Sequence, residues 1–114
     1  MRLRGGGAAA LALALLAAGC AREQVRLEVT APGAVSAELA LCRKAKGPLK
    51  HEGDRFTLSL PADCEGDGAI TLRYADGPPV VCPIGYVAKG LDQSFRFEVD
   101  GGQCRDVDAE ADRG

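Results

Sequence analysis

The sequence has few of the residues from which most catalytic and nucleic-acid-binding sites are built. It contains one histidine, His51, two tyrosines, three phenylalanines and no tryptophan among 114 residues. A nucleophile and its base would have to use His51, and no glycine-rich phosphate loop connects a strand to a helix. No aromatic residue is interleaved with the basic residues to stack on bases. We therefore expect neither catalysis, nor a cofactor, nor nucleic-acid binding.

The first 22 residues lack acidic side chains and carry a short apolar run behind a basic start. Arg2 and Arg4 precede an uninterrupted apolar stretch over residues 8–18, and the first acid is Glu23. As a helix, this stretch would cross only about half of the hydrocarbon core of a bilayer. A basic start with a short apolar core is typical of a secretory signal and not of a membrane-spanning helix.

The apolar run ends in Leu16-Ala17-Ala18-Gly19-Cys20, which resembles the lipobox of bacterial lipoproteins. The resemblance implies that residues 1–19 are removed and that Cys20 receives the lipid that anchors the mature protein. An Asp after the cysteine tends to retain such proteins in the inner membrane. Ala21 in that place implies the periplasmic face of the outer membrane of a two-membrane bacterium. The alternative is an ordinary secretory signal that is cut near a cysteine.

The predicted tether is short, because only residues 21–24 separate Cys20 from the first predicted strand. Four residues reach about 14 Å at most. We therefore expect the domain to lie close to the membrane surface, so that a partner must come to it or share that membrane.

Removal of residues 1–19 leaves a chain long enough for one domain and too short for two. It also removes Arg2 and Arg4, which changes the formal charge from −2 to −4. This mild negative charge is a second argument against a nucleic-acid-binding protein.

Four cysteines remain in the mature chain, Cys42, Cys64, Cys82 and Cys104, at intervals of 22, 18 and 22 residues. An even number in an exported domain predicts two disulfides, and none of the closely spaced pairs typical of zinc sites is present. Three connectivities are possible. If strands near residues 35–42 and 55–62 formed one hairpin, Cys42 and Cys64 would lie more than about 20 Å apart. This geometry disfavours that pair, and the connectivity stays open.

Alternation of apolar and polar residues predicts an all-β domain over residues 25–104, followed by an acidic tail over 105–114. The alternating segments are residues 25–31, 35–41, 56–60, 70–74 and 95–99. Val80–Val87 is apolar at both parities, which predicts a strand buried on both faces. We expect a small antiparallel β-sandwich or barrel of six to seven strands.

The nine residues Gly53–Pro61, read as Gly-Asp-Arg-Phe-Thr-Leu-Ser-Leu-Pro, resemble part of a transthyretin-like or carboxypeptidase-regulatory-like sandwich repeat. The resemblance implies a β-sandwich and carries no functional residue over to this chain.

Two segments offer candidate binding residues. Arg43, Lys44, Lys46 and Lys50 place four positive charges in one predicted loop of residues 43–51, where they could bind an anionic lipid, an anionic glycan or an acidic patch on a protein. The alternative is a solvated loop whose charges keep the domain soluble. Tyr86 follows a glycine within a predicted strand, which indicates a bulge or a close approach. The tyrosine either presents its ring at a binding face or fills the core, and we favour the core.

No metal site is expected. Residues 63–68 resemble a calcium loop in their spacing of acids and glycine, but Tyr74 stands where the bidentate glutamate belongs.

These features together predict a lipid-anchored envelope protein that binds another envelope protein as an accessory module. A module for an anionic lipid or glycan is the alternative, and a thiol enzyme that uses one of the four cysteines is a more remote one.

Overall fold

The computed structural model describes residues 23–108, which form a β-sandwich of nine strands in two sheets. The predicted signal segment, Cys20 and residues 109–114 lie outside the described residues. The strands are β1 Gln24–Thr30, β2 Ala34–Leu41, β3 Lys44–Pro48, β4 Lys50–Glu52, β5 Arg55–Pro61, β6 Gly66–Tyr74, β7 Val80–Val87, β8 Gln93–Asp100 and β9 Gln103–Asp106. Sheet A has the order β4-β5-β1-β8-β9, and sheet B has the order β3-β2-β6-β7.

The predicted all-β sandwich is confirmed, but the strand count and the purely antiparallel sheets are wrong. The strands β3, β4 and β9 were not predicted, because their residues are mostly exposed and show no apolar alternation. They lie at the edges of the sheets, where only one neighbour supplies hydrogen bonds. In the middle of sheet A, β1 pairs with β8 in parallel, with Leu27 opposite Phe95. The boundary predicted at residue 104 falls within β9.

The core lies between the two sheets and is built from the alternating positions of the central strands. Val25, Leu27 and Val29 of β1 point inward from sheet A, and Ile70 and Leu72 of β6 point inward from sheet B. No polar or charged residue is buried among residues 23–108. Hydrophobic burial therefore holds the two sheets together, at roughly 25 cal/mol per Å² of apolar surface.

Two disulfides, Cys42–Cys64 and Cys82–Cys104, reinforce the sandwich. The argument against joining Cys42 to Cys64 is wrong, because β2 and β5 do not form a hairpin. They lie in different sheets, and Cys64 lies in the crossing from β5 to β6, which places it beside the end of β2. The second bridge joins β7 to β9, which are edge strands of opposite sheets. The Cys82–Cys104 disulfide therefore links the two sheets, and the Cys42–Cys64 disulfide links sheet B to the segment that connects the sheets.

The prediction that Val80–Val87 is buried on both faces is also wrong. The strand β7 is an edge of sheet B, and only one of its faces packs on the core. Cys82 and Ile84 are buried, whereas Val81 between them has 51% of its surface exposed. The strands β6 and β7 pair in antiparallel fashion and form a hairpin across residues 75–79.

Among residues 23–108, no helix is long and apolar enough to cross a membrane.

Gly68 fills a place where a side chain does not fit. A Cβ atom there would lie 2.5 Å from the carbonyl oxygen of Ala40 and 2.7 Å from the Cδ1 of Leu41, whereas a Cβ at Gly85 would meet nothing within 4 Å. We expect Gly68→Ala to lower the free energy of unfolding by about 2 kcal/mol through overpacking. Gly85→Ala, the matched control, should change it by less than about 0.5 kcal/mol. Urea denaturation of the mature chain measures both, and equal effects would contradict the packing seen here.

The Cys82–Cys104 bridge should contribute strongly to stability. We expect the double variant Cys82→Ala/Cys104→Ala to lose about 3 kcal/mol, because a loop of 22 residues gains entropy in the unfolded chain. Cys82 is also fully buried, so its replacement leaves a small cavity. The double variant Cys42→Ser/Cys64→Ser opens a loop of the same length nearer the surface and should lose somewhat less. A larger loss for this second variant in urea denaturation would contradict the expectation.

Candidate functional site

A strained turn presents Arg43. The strands β2 and β3 are joined through the two residues Cys42 and Arg43, with Leu41 opposite Lys44. Both turn residues have positive φ, 54° and 65°, a conformation that glycine and asparagine adopt far more readily than cysteine or arginine. The turn is held by the Cys42–Cys64 bridge and by the hydrogen bond that the Cys42 N–H donates to the carbonyl of Asp67 (2.9 Å). The tertiary structure thus keeps Arg43 at a fixed place in spite of its backbone cost.

A β-bulge presents Tyr86. Gly68 pairs with Ile84 and Gly66 pairs with Val87, so that two residues of β7 lie opposite one residue of β6. The predicted irregularity at Gly85 is therefore a bulge. With strict alternation after Cys82 and Ile84, the side chain of Tyr86 would point into the core. The extra residue of the bulge exchanges the inward and outward positions that follow it. Val87 is buried instead, and Tyr86 has 64% of its surface exposed. The interpretation of Tyr86 as a core residue is wrong for this reason.

Arg43 and Tyr86 line one groove of ≈ 400 Å³, which we call the Arg43–Tyr86 groove. Its other lining residues are Cys42, Glu65, Gly66 and Asp67. The carboxylates of Glu65 and Asp67 lie beside the guanidinium of Arg43, so the groove does not concentrate positive charge. An aromatic ring together with charges of both signs suits a mixed apolar and polar surface better than it suits a single anion.

The other candidate residues lie apart from this groove. Lys44 and Lys46 belong to β3 at the edge of sheet B, whereas Lys50 belongs to β4 at the edge of sheet A. Residues 43–51 are thus two edge strands in different sheets and no single loop. Lysines on edge strands also discourage pairing with the sheets of other molecules.

His51 is exposed and stacks on the edge of the core. It lies opposite Phe56, and the two rings stack with their centroids 4.1 Å apart and their planes 17° from parallel. Among residues 23–108, no group of three or more histidine, cysteine or acidic side chains converges as a metal site would require.

The outer face of sheet A is a network of charges. Ion pairs on it join Arg26 to Asp92, Arg55 to Glu28, Arg96 to Asp108 and Arg105 to Glu98. The hydrogen bond and the negative charge of Asp108 raise the pKa of the Arg96 guanidinium. Asp108, predicted to lie in the acidic tail, thereby packs on the sandwich. A partner that covered this face would have to desolvate many paired charges.

The outer face of sheet B carries small uncharged side chains instead. One cross-strand row runs through all four strands, from Ala45 to Ala40, Ala69 and Pro83. Beside it lie Thr71 and the exposed Val81. The ion pair between Arg73 and Glu38 lies on the same face. Sequence reasoning missed this face, although its signal was present: Ala40, Ala69 and Pro83 take outward positions of β2, β6 and β7 that a solvated strand often fills with charges.

A second groove, of ≈ 440 Å³, lies at the opposite end of the sandwich from Gln24. Pro32, Tyr74, Pro78 and Pro79 contribute to its lining, near the turn between β8 and β9. It brings together none of the candidate residues named from the sequence.

No protein-family model matches the chain, and no curated protein or solved structure is significantly similar to it. Inference about function therefore depends on the shape and chemistry of the described surfaces.

The strain at Arg43 can be measured. We expect Arg43→Gly to raise the free energy of unfolding by about 1 kcal/mol, because glycine adopts positive φ without the clash of a Cβ atom. Arg43→Ala is the matched control, since it removes the same side chain and retains that clash. Urea denaturation should rank glycine above both arginine and alanine. Equal stabilities of the glycine and alanine variants would show that the turn carries no strain.

Proposed function

We propose that the chain is the precursor of a bacterial envelope lipoprotein, whose β-sandwich binds another envelope protein without catalysing a reaction. The basic start, the apolar run over residues 8–18 and the lipobox-like sequence before Cys20 support the export and the anchor. The two disulfides agree with an oxidising compartment. The membrane is then the periplasmic face of the outer membrane, as the residue after Cys20 favours.

The unequal outer faces of the two sheets carry the proposal of a protein partner. Covering sheet A would bury arginines and carboxylates, and the cost of desolvating paired charges can exceed what their attraction returns. Covering sheet B would bury mainly Ala40, Ala69, Val81 and Pro83, whose removal from water is favourable, and a single ion pair, Arg73–Glu38. The centres of protein interfaces are likewise depleted of charge. The outer face of sheet B is therefore the surface that we assign to the partner.

An anionic small ligand is less favoured. Lys50 is separated from Lys44 and Lys46 by its place in the other sheet, and Arg43 has Glu65 and Asp67 beside it. No described surface concentrates the positive charge that such a ligand needs.

Site-specific photocrosslinking in cells tests the assignment. A photoreactive amino acid at Ala40, on the outer face of sheet B, should capture a protein in the envelope. The same amino acid at Ser94, exposed on the outer face of sheet A, is the matched control and should capture little. A photoreactive amino acid at Ala69, on the same face, should capture the same protein. That capture should weaken when Cys20→Ser prevents anchoring.

Two results would contradict the proposal. Equal capture from Ala40 and Ser94 would remove sheet B as the binding face. No protein captured from either position, with the chain present in the envelope, would remove the protein partner altogether.

A further inference from the structure

The start of the described chain marks one end of the sandwich, which we call the tether end. The carbonyl of Glu23 accepts a hydrogen bond from the N–H of Ala62 (3.0 Å), and the carbonyl of Ala62 accepts one from the N–H of Gly90 (2.8 Å). The N–H of Gln24 donates to a carboxylate oxygen of Asp92 (2.7 Å). These bonds fix the first residues against the segment between β7 and β8.

The tether end includes the end of β7. The side chain of Gln93 donates to the carbonyl of Tyr86 (3.2 Å) and accepts from the N–H of Ala88 (2.8 Å). The Cys42–Arg43 turn lies at the same end, because Arg43 shares its groove with Tyr86.

Two large apolar groups are exposed at this end. Tyr86 is 64% exposed because of the bulge, and Leu91 is 52% exposed between Gly90 and Asp92, both of which are fixed by hydrogen bonds. A leucine held outward by ordered backbone and a tyrosine turned outward by a bulge suit an environment that is apolar on one side and wet on the other. The interfacial layer of a bilayer is such an environment, and tyrosine is enriched there.

The distance to the anchor agrees with this assignment. Three residues lead from Glu23 back to Cys20, and they can span about 11 Å at most. A lipid on Cys20 would therefore hold the tether end, and not the opposite end, at the membrane surface.

We propose that the tether end rests on the membrane in which Cys20 is anchored, with Tyr86 and Leu91 in the interfacial layer; this inference rests on the proposed lipoprotein. Charges at this end have both signs, with Arg43 and Lys89 near Glu65 and Asp92. The contact is therefore driven by apolar burial and depends little on the anionic fraction of the lipids. In this orientation the strands stand upright, and the outer face of sheet B is turned sideways towards proteins in the same membrane.

Fluorescence quenching tests the orientation, because the natural chain contains no tryptophan. Tyr86→Trp and Leu91→Trp would each introduce one indole at the tether end. Val35→Trp is the matched control, because Val35 is 56% exposed near the start of β2, at the opposite end of the sandwich. Each full-length variant would be purified from the envelope in its mature form and placed in vesicles of phosphatidylethanolamine and phosphatidylglycerol with brominated acyl chains. Mass spectrometry of the N-terminal peptide would first establish the lipid on Cys20.

We expect the brominated chains to quench the indole at positions 86 and 91 and to leave the indole at position 35 unchanged. The quenching should persist when phosphatidylglycerol is replaced by phosphatidylcholine. A lipidated protein with no quenching at 86 and 91, or with equal quenching at 35, would overturn the orientation and leave the proposed lipoprotein intact. An unmodified Cys20 would overturn the lipoprotein and this inference together.

Discussion

The packing of two β-sheets face to face is the constraint on which the rest of this structure depends. No polar or charged residue is buried within residues 23–108, and the core consists of aliphatic side chains with Phe56, Phe97 and Cys82. The central strands must therefore place alternate residues between the sheets. Because a domain of this size has a small core, the two disulfides add the constraint that burial alone supplies weakly.

This constraint also decides what reaches the surface. Where alternation continues undisturbed, the outward residues form either the charge network of sheet A or the small-residue face of sheet B. Where it is interrupted, the backbone presents particular side chains: the bulge in β7 exposes Tyr86, and the turn with positive φ exposes Arg43. Both irregularities border the same groove at the tether end. The sandwich therefore differs between its two ends and between the outer faces of its two sheets.

These differences agree with the proposed membrane anchor at one end. The tether end bears exposed apolar groups, and the outer face of sheet B bears mostly small uncharged side chains with one ion pair, Arg73–Glu38, while the outer face of sheet A bears four ion pairs. In the proposed orientation, the tether end contacts the lipid and the outer face of sheet B contacts a neighbouring protein.

The sequence by itself determined the strands that alternate, the all-β class and the use of four cysteines in two disulfides, because each depends on local periodicity or on composition. Edge strands such as β3 and β4 have no apolar face and left no such signal. Which cysteines pair, and whether Tyr86 points inward, depended on relations between distant segments. The crossing from β5 to β6 brings Cys64 to Cys42, and the register between β6 and β7 moves Tyr86 out of the core. Only the tertiary structure decided these points, because strand pairing and register are set by contacts that a single stretch of sequence does not contain.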